Sequence, residues 1–139
     1  MWVIFEGLDK AGKTTLEWEF LKATNFKHVV IDRGPAGYAV FDALFNRETN
    51  EGYEQYVRNV KDMKDSGNFL VVYCKVPYFV AKQRLREHNE TCPYDYILAQ
   101  EMYDKSIERL YKGHGIKVIT VDTIKTIKEC VDLIKGALE

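Results

Sequence analysis

The sequence predicts an α/β domain: a doubly wound parallel sheet of about four strands with helices on both faces, spanning residues 1–139 as one unit. Three observations carry this. Short, nearly continuous apolar runs rich in β-branched and aromatic residues alternate with stretches of helical periodicity, as when helices cover both faces of a parallel sheet. No repeat, low-complexity tract or Pro/Ser-rich linker divides the chain. A chain of 139 residues with 46% hydrophobic content can bury one core without a disulfide or metal staple.

The elements follow in order. Trp2 to Glu6 (WVIFE) reads as the first strand, and a helix follows from Lys13 to Thr24, with Leu16 and Phe20 four apart on one face. His28 to Asp32 (HVVID) is the second strand. Helices are expected at Tyr38 to Phe45 and Glu51 to Asp65, the second stopped by Ser66-Gly67. Phe69 to Val76 (FLVVYCKV) is the third strand, and Pro77 opens a helix to about His88, where its missing N–H costs nothing. Tyr94 to Tyr111 is expected as one helix, stopped by Gly113-His114-Gly115. Lys117 to Asp122 (KVITVD) is the fourth strand, and the last helix carries Ile127, Val131, Ile134 and Leu138 at helical spacing. Ligands of such folds sit beyond the carboxyl ends of strands, so chemistry is expected after the first and second.

Composition excludes some classes and leaves others open. With 20 Lys+Arg against 21 Asp+Glu, the surface is not one large field for nucleic acid, although a local basic patch is compatible with it. Lys82, Arg84, Arg86 and His88 share one predicted helix, and Lys105, Arg109, Lys112 and His114 lie along another; the ordinary reading of each is a solvated face, the alternative a phosphate contact. Cys74, Cys92 and Cys130 have no metal-type spacing and, being odd in number, suggest reduced thiols rather than a disulfide framework. No apolar stretch approaches the length of a secretory signal or membrane span, so a cytoplasmic protein with no membrane partner is expected.

The strongest signal is Gly7-Leu8-Asp9-Lys10-Ala11-Gly12-Lys13-Thr14-Thr15, a full match to G-x-x-x-x-G-K-[ST] between a strand and an amphipathic helix. That context lets the backbone N–H groups and the helix N-terminus cradle phosphates. Lys13 would reach the β- and γ-phosphates of ATP, and the Thr14 hydroxyl would hold Mg²⁺. Asp32 ends the second apolar strand, where an acidic residue can hold Mg²⁺ through water, and Arg33 offers a planar fork for phosphate. The bland alternative is that Asp32 caps the Gly34-Pro35 turn and pairs with Arg33. Asp9 is read either as a turn residue or as part of the site.

Phe5-Glu6-Gly7-Leu8-Asp9-Lys10-Ala11-Gly12-Lys13-Thr14-Thr15 resembles the loop of thymidylate kinases, whose signature is Phe/Leu-Glu-Gly-x-Asp-x-x-Gly-Lys-Ser/Thr-Thr. Asp32-Arg33 resembles the family's Asp-Arg pair, in which the Arg contacts the acceptor phosphate. Val76-Pro77 followed by Arg84 and Arg86 resembles the strand and helix that lead to the family's lid, and Val118 to Asp122 its last strand. The lid segment Asn89-Glu90-Thr91-Cys92-Pro93 has no Arg, so Lys10, Arg84 and Arg86 are the candidates for stabilising transferring charge. The family places a long segment with an extra strand between the loop helix and the Asp-Arg strand, whereas here only Asn25, Phe26 and Lys27 intervene. The wall that would enclose a mononucleotide is missing, and a large acceptor could fill the opening itself.

The chain in this respect resembles small phage enzymes of the family that phosphorylate 5-hydroxymethyldeoxyuridine within DNA, which would place it in a host cytoplasm. A hydroxymethyl acceptor benefits from a general base, for which Asp32 is the first candidate and Asp9 the second. Tyr38, Phe41 and Phe45 could receive a flipped base, though helical spacing favours the core; Trp18 lies off its helix's apolar line. Three functions are therefore expected to compete. They are an ATP- and Mg²⁺-dependent kinase acting on a modified thymine base in DNA, a minimal kinase for free thymidylate or another deoxynucleotide, and a non-catalytic nucleotide-binding module. A homodimer is left open.

Overall fold

A computed structural model describes all of residues 1–139. Four parallel strands, β1 (Trp2–Glu6), β2 (Val29–Asp32), β3 (Phe69–Lys75) and β4 (Val118–Asp122), lie in the order β2-β1-β3-β4. The helices are α1 (Lys13–Ala23), α2 (Pro35–Leu44), α3 (Asn50–Ser66), α4 (Tyr78–Glu87), α5 (Tyr96–Ser106) and α6 (Ile127–Leu138). This is the doubly wound α/β fold the sequence predicts.

The two-residue period of the strands divides the core. Val3 and Phe5 of β1, with Leu70, Val72 and Cys74 of β3, meet Leu16 and Phe20 of α1 and Val131 and Ile134 of α6. Ile4 of β1, with Val71 and Tyr73 of β3, faces the layer built from α2, α3 and α5. The order reverses at β1: the chain runs outward to β2 on one side, then returns past β1 to β3 on the other. The loop after β1 therefore opens at a topological switch point. No helix is long and apolar enough to cross a membrane.

Several boundaries depart from the periodicity. The helix expected at Tyr38 begins at Pro35, because Pro fits the first helical turn. Pro77 stands just before α4 and serves as its N-cap position. The stretch Tyr94 to Tyr111 is not one regular helix: Asp95 caps α5 by accepting the Leu98 N–H at 3.1 Å, and the chain widens into a π-helical turn at Ile107–Tyr111, then a 3₁₀ turn at Lys112–His114. The widened turn sends the Tyr111 hydroxyl under the sheet, where Glu6 and the Ala36 N–H await it.

Candidate active site at the loop after the first strand

The loop is held open by backbone geometry. Gly7 has φ +147°, and a Cβ there would lie 2.6 Å from the Cys74 carbonyl oxygen, so only glycine lets β1 leave the sheet this close to β3. Gly12, at φ +80°, opens α1 without a side-chain cap, and the N–H groups of the first turn are left for an external acceptor. Leu8 and Ala11 are each 1% exposed and anchor the loop in opposite core layers. Between them Asp9 and Lys10 face outward.

Two further elements clasp the loop. The Arg84 guanidinium of α4 donates to the Lys10 carbonyl at 2.7 Å and the Thr123 carbonyl at 3.2 Å, and the Thr123 hydroxyl donates to the Ala11 carbonyl at 2.7 Å. Arg84 is thus engaged in holding the loop. Lys10 Nζ pairs with Glu90 at 2.9 Å, and Arg86 is exposed. Beside the loop lies a cavity of about 340 Å³, lined by Lys10, Gly12, Thr15, Arg84, His88, Thr123 and Lys125 among others.

At the loop's inner end, Lys13 Nζ lies 2.9 Å from Asp32 Oδ1. The register of Phe5 opposite Asp32 brings them together, since it sets the end of β2 beside the end of β1. The lysine is buried, whereas the Asp32 side chain is 58% exposed beyond an edge strand. Asp32 therefore pairs across the site with Lys13 rather than with its neighbour Arg33. Thr14 is exposed on the first turn of α1, next in the chain to Lys13. Hard oxygen donors with room for water fit a magnesium ion.

Glu17, one turn beyond Lys13, was not marked by any motif. It is 9% exposed and its Oε1 has no partner. Burial first, then a hydrogen bond to Asp32 and the Asp32 charge, pushes its pKa up to about 8. Burial acts to raise Asp32 as well, but hydrogen bonds with Glu17 and Lys13 and the charges of Lys13 and Arg33 outweigh it and leave Asp32 below its usual value.

Arg33 turns away from Asp32 because its backbone is left-handed, at φ +69°. Its guanidinium carbon stacks 4.0 Å from the centre of the Phe41 ring, one Nη is 4.0 Å from Asp9 Oδ1, and its Nε is buried without an acceptor. Tyr94 closes this side. Its hydroxyl donates to Asp9 Oδ2 at 3.1 Å, and its ring meets Phe41 and Phe45 edge-on at 5.8 and 6.2 Å. Phe41, Phe45 and Tyr94 form an aromatic corner beside Asp9 and Arg33. Tyr38, grouped with the phenylalanines by sequence, instead stacks on Tyr56 of α3, and Trp18 is 58% exposed on α1.

Underneath lies a second residue whose role the motif does not reveal. Glu6 is 0% exposed and accepts hydrogen bonds from the Tyr103 and Tyr111 hydroxyls, at 2.7 and 2.5 Å, and from the Gly37 N–H at 3.1 Å. Burial raises its pKa, and these donors only partly oppose the rise. A Cβ at Gly37 would lie 2.4 Å from Glu6 Oε1, so glycine lets the start of α2 close on the loop.

No protein-family model and no curated protein matches the sequence. Solved structures do match its fold. The YorR protein from Bacillus subtilis, in complex with phosphorylated GDP, superimposes with a TM-score of 0.77 at 18% identity, over 99% of this chain and 95% of that one. Deoxyadenosine kinase from M. mycoides with bound dCTP gives 0.64 at 14% identity, over 99% and 98% of the two chains. An unliganded sugar kinase from Janibacter sp. HTCC2649 gives 0.60 at 14%, over 99% and 93%.

Proposed function

We propose that the protein is an ATP- and Mg²⁺-dependent phosphotransferase that moves the γ-phosphoryl group to a thymidine-like acceptor, with 5-hydroxymethyldeoxyuridine held in DNA as the preferred one. The observation that carries this reading is the meeting of Lys13 and Asp32, 2.9 Å apart at the loop, with Asp32 exposed beyond an edge strand. A carboxylate so placed can take the proton of an attacking hydroxyl, and the open edge admits an acceptor larger than a mononucleotide.

The residues divide the work. Phosphates are cradled by the loop from Gly7 to Thr15 and draw Lys13 from Asp32 toward the β- and γ-phosphates. The cavity lined by Arg84, His88, Thr123 and Lys125 suits the nucleoside end of ATP. Thr14 and Asp32 would hold Mg²⁺, which when bound would neutralise phosphate charge. The acceptor base fits the corner of Phe41, Phe45 and Tyr94, and the partly exposed end of the Arg33 guanidinium offers donors to an oxygen of the transferring group. Asp9 fixes Tyr94 and Arg33 around that corner, and Lys10 supplies positive charge from the opposite side.

A second reading, transfer to a free deoxynucleoside or deoxynucleotide, is favoured by the likeness to deoxyadenosine kinase over nearly the whole chain. One assay separates the two. Purified protein with labelled ATP is offered hydroxymethyluracil-containing DNA, free deoxynucleosides and free thymidylate. Label in the DNA is expected; label only in a free acceptor replaces the preferred substrate, and label in none removes the kinase reading.

A further inference from the structure

Two consecutive residues of β1 hold the segment that carries Arg33. The Phe5 carbonyl accepts the Arg33 N–H at 2.8 Å, and the Glu6 carboxylate accepts the Gly37 N–H at 3.1 Å. Between these ties runs the turn from β2 into α2, in which Arg33 has φ +69° and Gly34 stands at the N-cap with no side chain to cap the helix. A left-handed backbone is unfavourable for a residue with a long side chain, so its surroundings must hold it there. Glu6 supplies from another element the cap that α2 lacks, and a carboxylate suits the positive end of a helix of 10 residues.

The same carboxylate is a junction. The Tyr103 hydroxyl donates to it from α5 and itself accepts the Gly7 N–H; the Tyr111 hydroxyl donates to it from the π-helical turn and accepts the Ala36 N–H at 3.3 Å. Two hydroxyls and an N–H therefore converge on two oxygens that water does not reach. An amide in this place could still accept the Gly37 N–H, whereas an alkyl side chain would leave every donor unpaired. At Gly37 the network meets the arginine. A Cβ there would lie 2.5 Å from Arg33 Cγ, so the arginine stem crosses the glycine whose N–H Glu6 holds. From that crossing the guanidinium reaches the Phe41 ring, one turn further along α2.

We propose that Glu6 is a positioning residue for phosphoryl transfer: by holding the Gly37 N–H it keeps the left-handed turn at Arg33 and so sets the guanidinium at the acceptor corner. Wholly buried beneath the loop, it acts through the arginine and not on the reacting groups. Because Tyr103 joins the same carboxylate to Gly7, the phosphate loop and the helix of the acceptor corner take their positions from one fixed point. The proposal rests on the kinase reading and holds whether the acceptor is free or held in DNA.

The test is a double-mutant cycle on kcat, with each variant checked by thermal melting. Transfer is read from labelled ATP to whichever of hydroxymethyluracil-containing DNA, free deoxynucleosides and free thymidylate the native chain labels. Glu6→Leu should lower kcat by about tenfold or more and leave KM for ATP within about twofold; in an Arg33→Ala background it should lower kcat by less than about twofold further. Glu6→Gln, which keeps an acceptor for Gly37, should stay within about threefold of the native kcat. If Glu6→Leu melts below the assay temperature, Tyr111→Phe takes its place in the cycle, with a fall of about fivefold expected only while Arg33 is present. A fall that persists in full without Arg33 overturns the positioning role, as does a native kcat in Glu6→Leu or a rise in KM for ATP at unchanged kcat. A collapse in Glu6→Gln as deep as in Glu6→Leu also overturns it and makes the carboxyl a proton acceptor. Each of these leaves the kinase reading standing, whereas a native chain that labels no acceptor removes that reading and the proposal with it.

Discussion

At the scale of single residues, exposure decides what a substitution reports. Lys13 is buried but its partner Asp32 faces water, so Lys13→Ala strands no buried charge and should alter stability by no more than about 1 kcal/mol. Phosphoryl transfer should nevertheless fall by roughly a thousandfold or more, measured as turnover alongside a melting curve. Asp32→Asn keeps the shape and removes the proposed proton acceptor; kcat should fall far more than the affinity for ATP, and a change in ATP affinity alone would make Asp32 a binding residue only. Glu17 gives a pH signature. Its folded pKa, about 8, lies above its ordinary value near 4.5, so its contribution to stability is complete below about 4.5 and is lost as pH rises through about 8. Metal-free native protein should lose stability relative to Glu17→Gln across that window, and denaturant titrations should run parallel above it. Lys13, Asp32 and Arg33 were legible because motifs and strand ends mark them. Glu17 was not, because its chemistry comes from the Cα register that sets Asp32 beside α1, and a sequence does not display that register.

At the scale of elements, α4 and the turn after β4 add to the hold that Leu8 and Ala11 give the loop. Arg84→Ala would leave the Lys10 and Thr123 carbonyls to water, at a cost of about 1–3 kcal/mol, and should raise KM for ATP more than it lowers kcat, since the guanidinium holds backbone. A collapse of kcat at unchanged KM would instead identify it with the transferring charge. The strands and most helices were legible because burial on both faces writes continuous apolar runs. The π-helical turn was not, because the pull on Tyr111 comes from Glu6, distant in sequence and buried in space. The start of α2 was misplaced because Pro35 suits both a turn and a first helical turn, and the choice lies with the Gly37 N–H reaching Glu6.

At the scale of the whole molecule, the single sheet is the shared wall of two cores. Phe20 belongs to one and Leu110 to the other, and both are almost completely buried. Truncating Phe20 to Ala should cost about 3–5 kcal/mol and Leu110 to Ala about 2–5 kcal/mol, each lowering one cooperative transition. Two resolved transitions in calorimetry would show that the layers melt separately. The layering was legible from alternation of strand and helix patterns, but the strand order was not, since a parallel sheet's apolar runs carry no label of which neighbour they meet. That order has a consequence in time. β1 is made before the others yet lies between β2 and β3, so its ribbon of Val3, Ile4 and Phe5 cannot be flanked on both sides until residue 75 has been synthesised. At 5–20 residues per second the wait after residue 6 is about 3–14 s, during which a nascent apolar strand depends on the ribosome surface or a chaperone for cover.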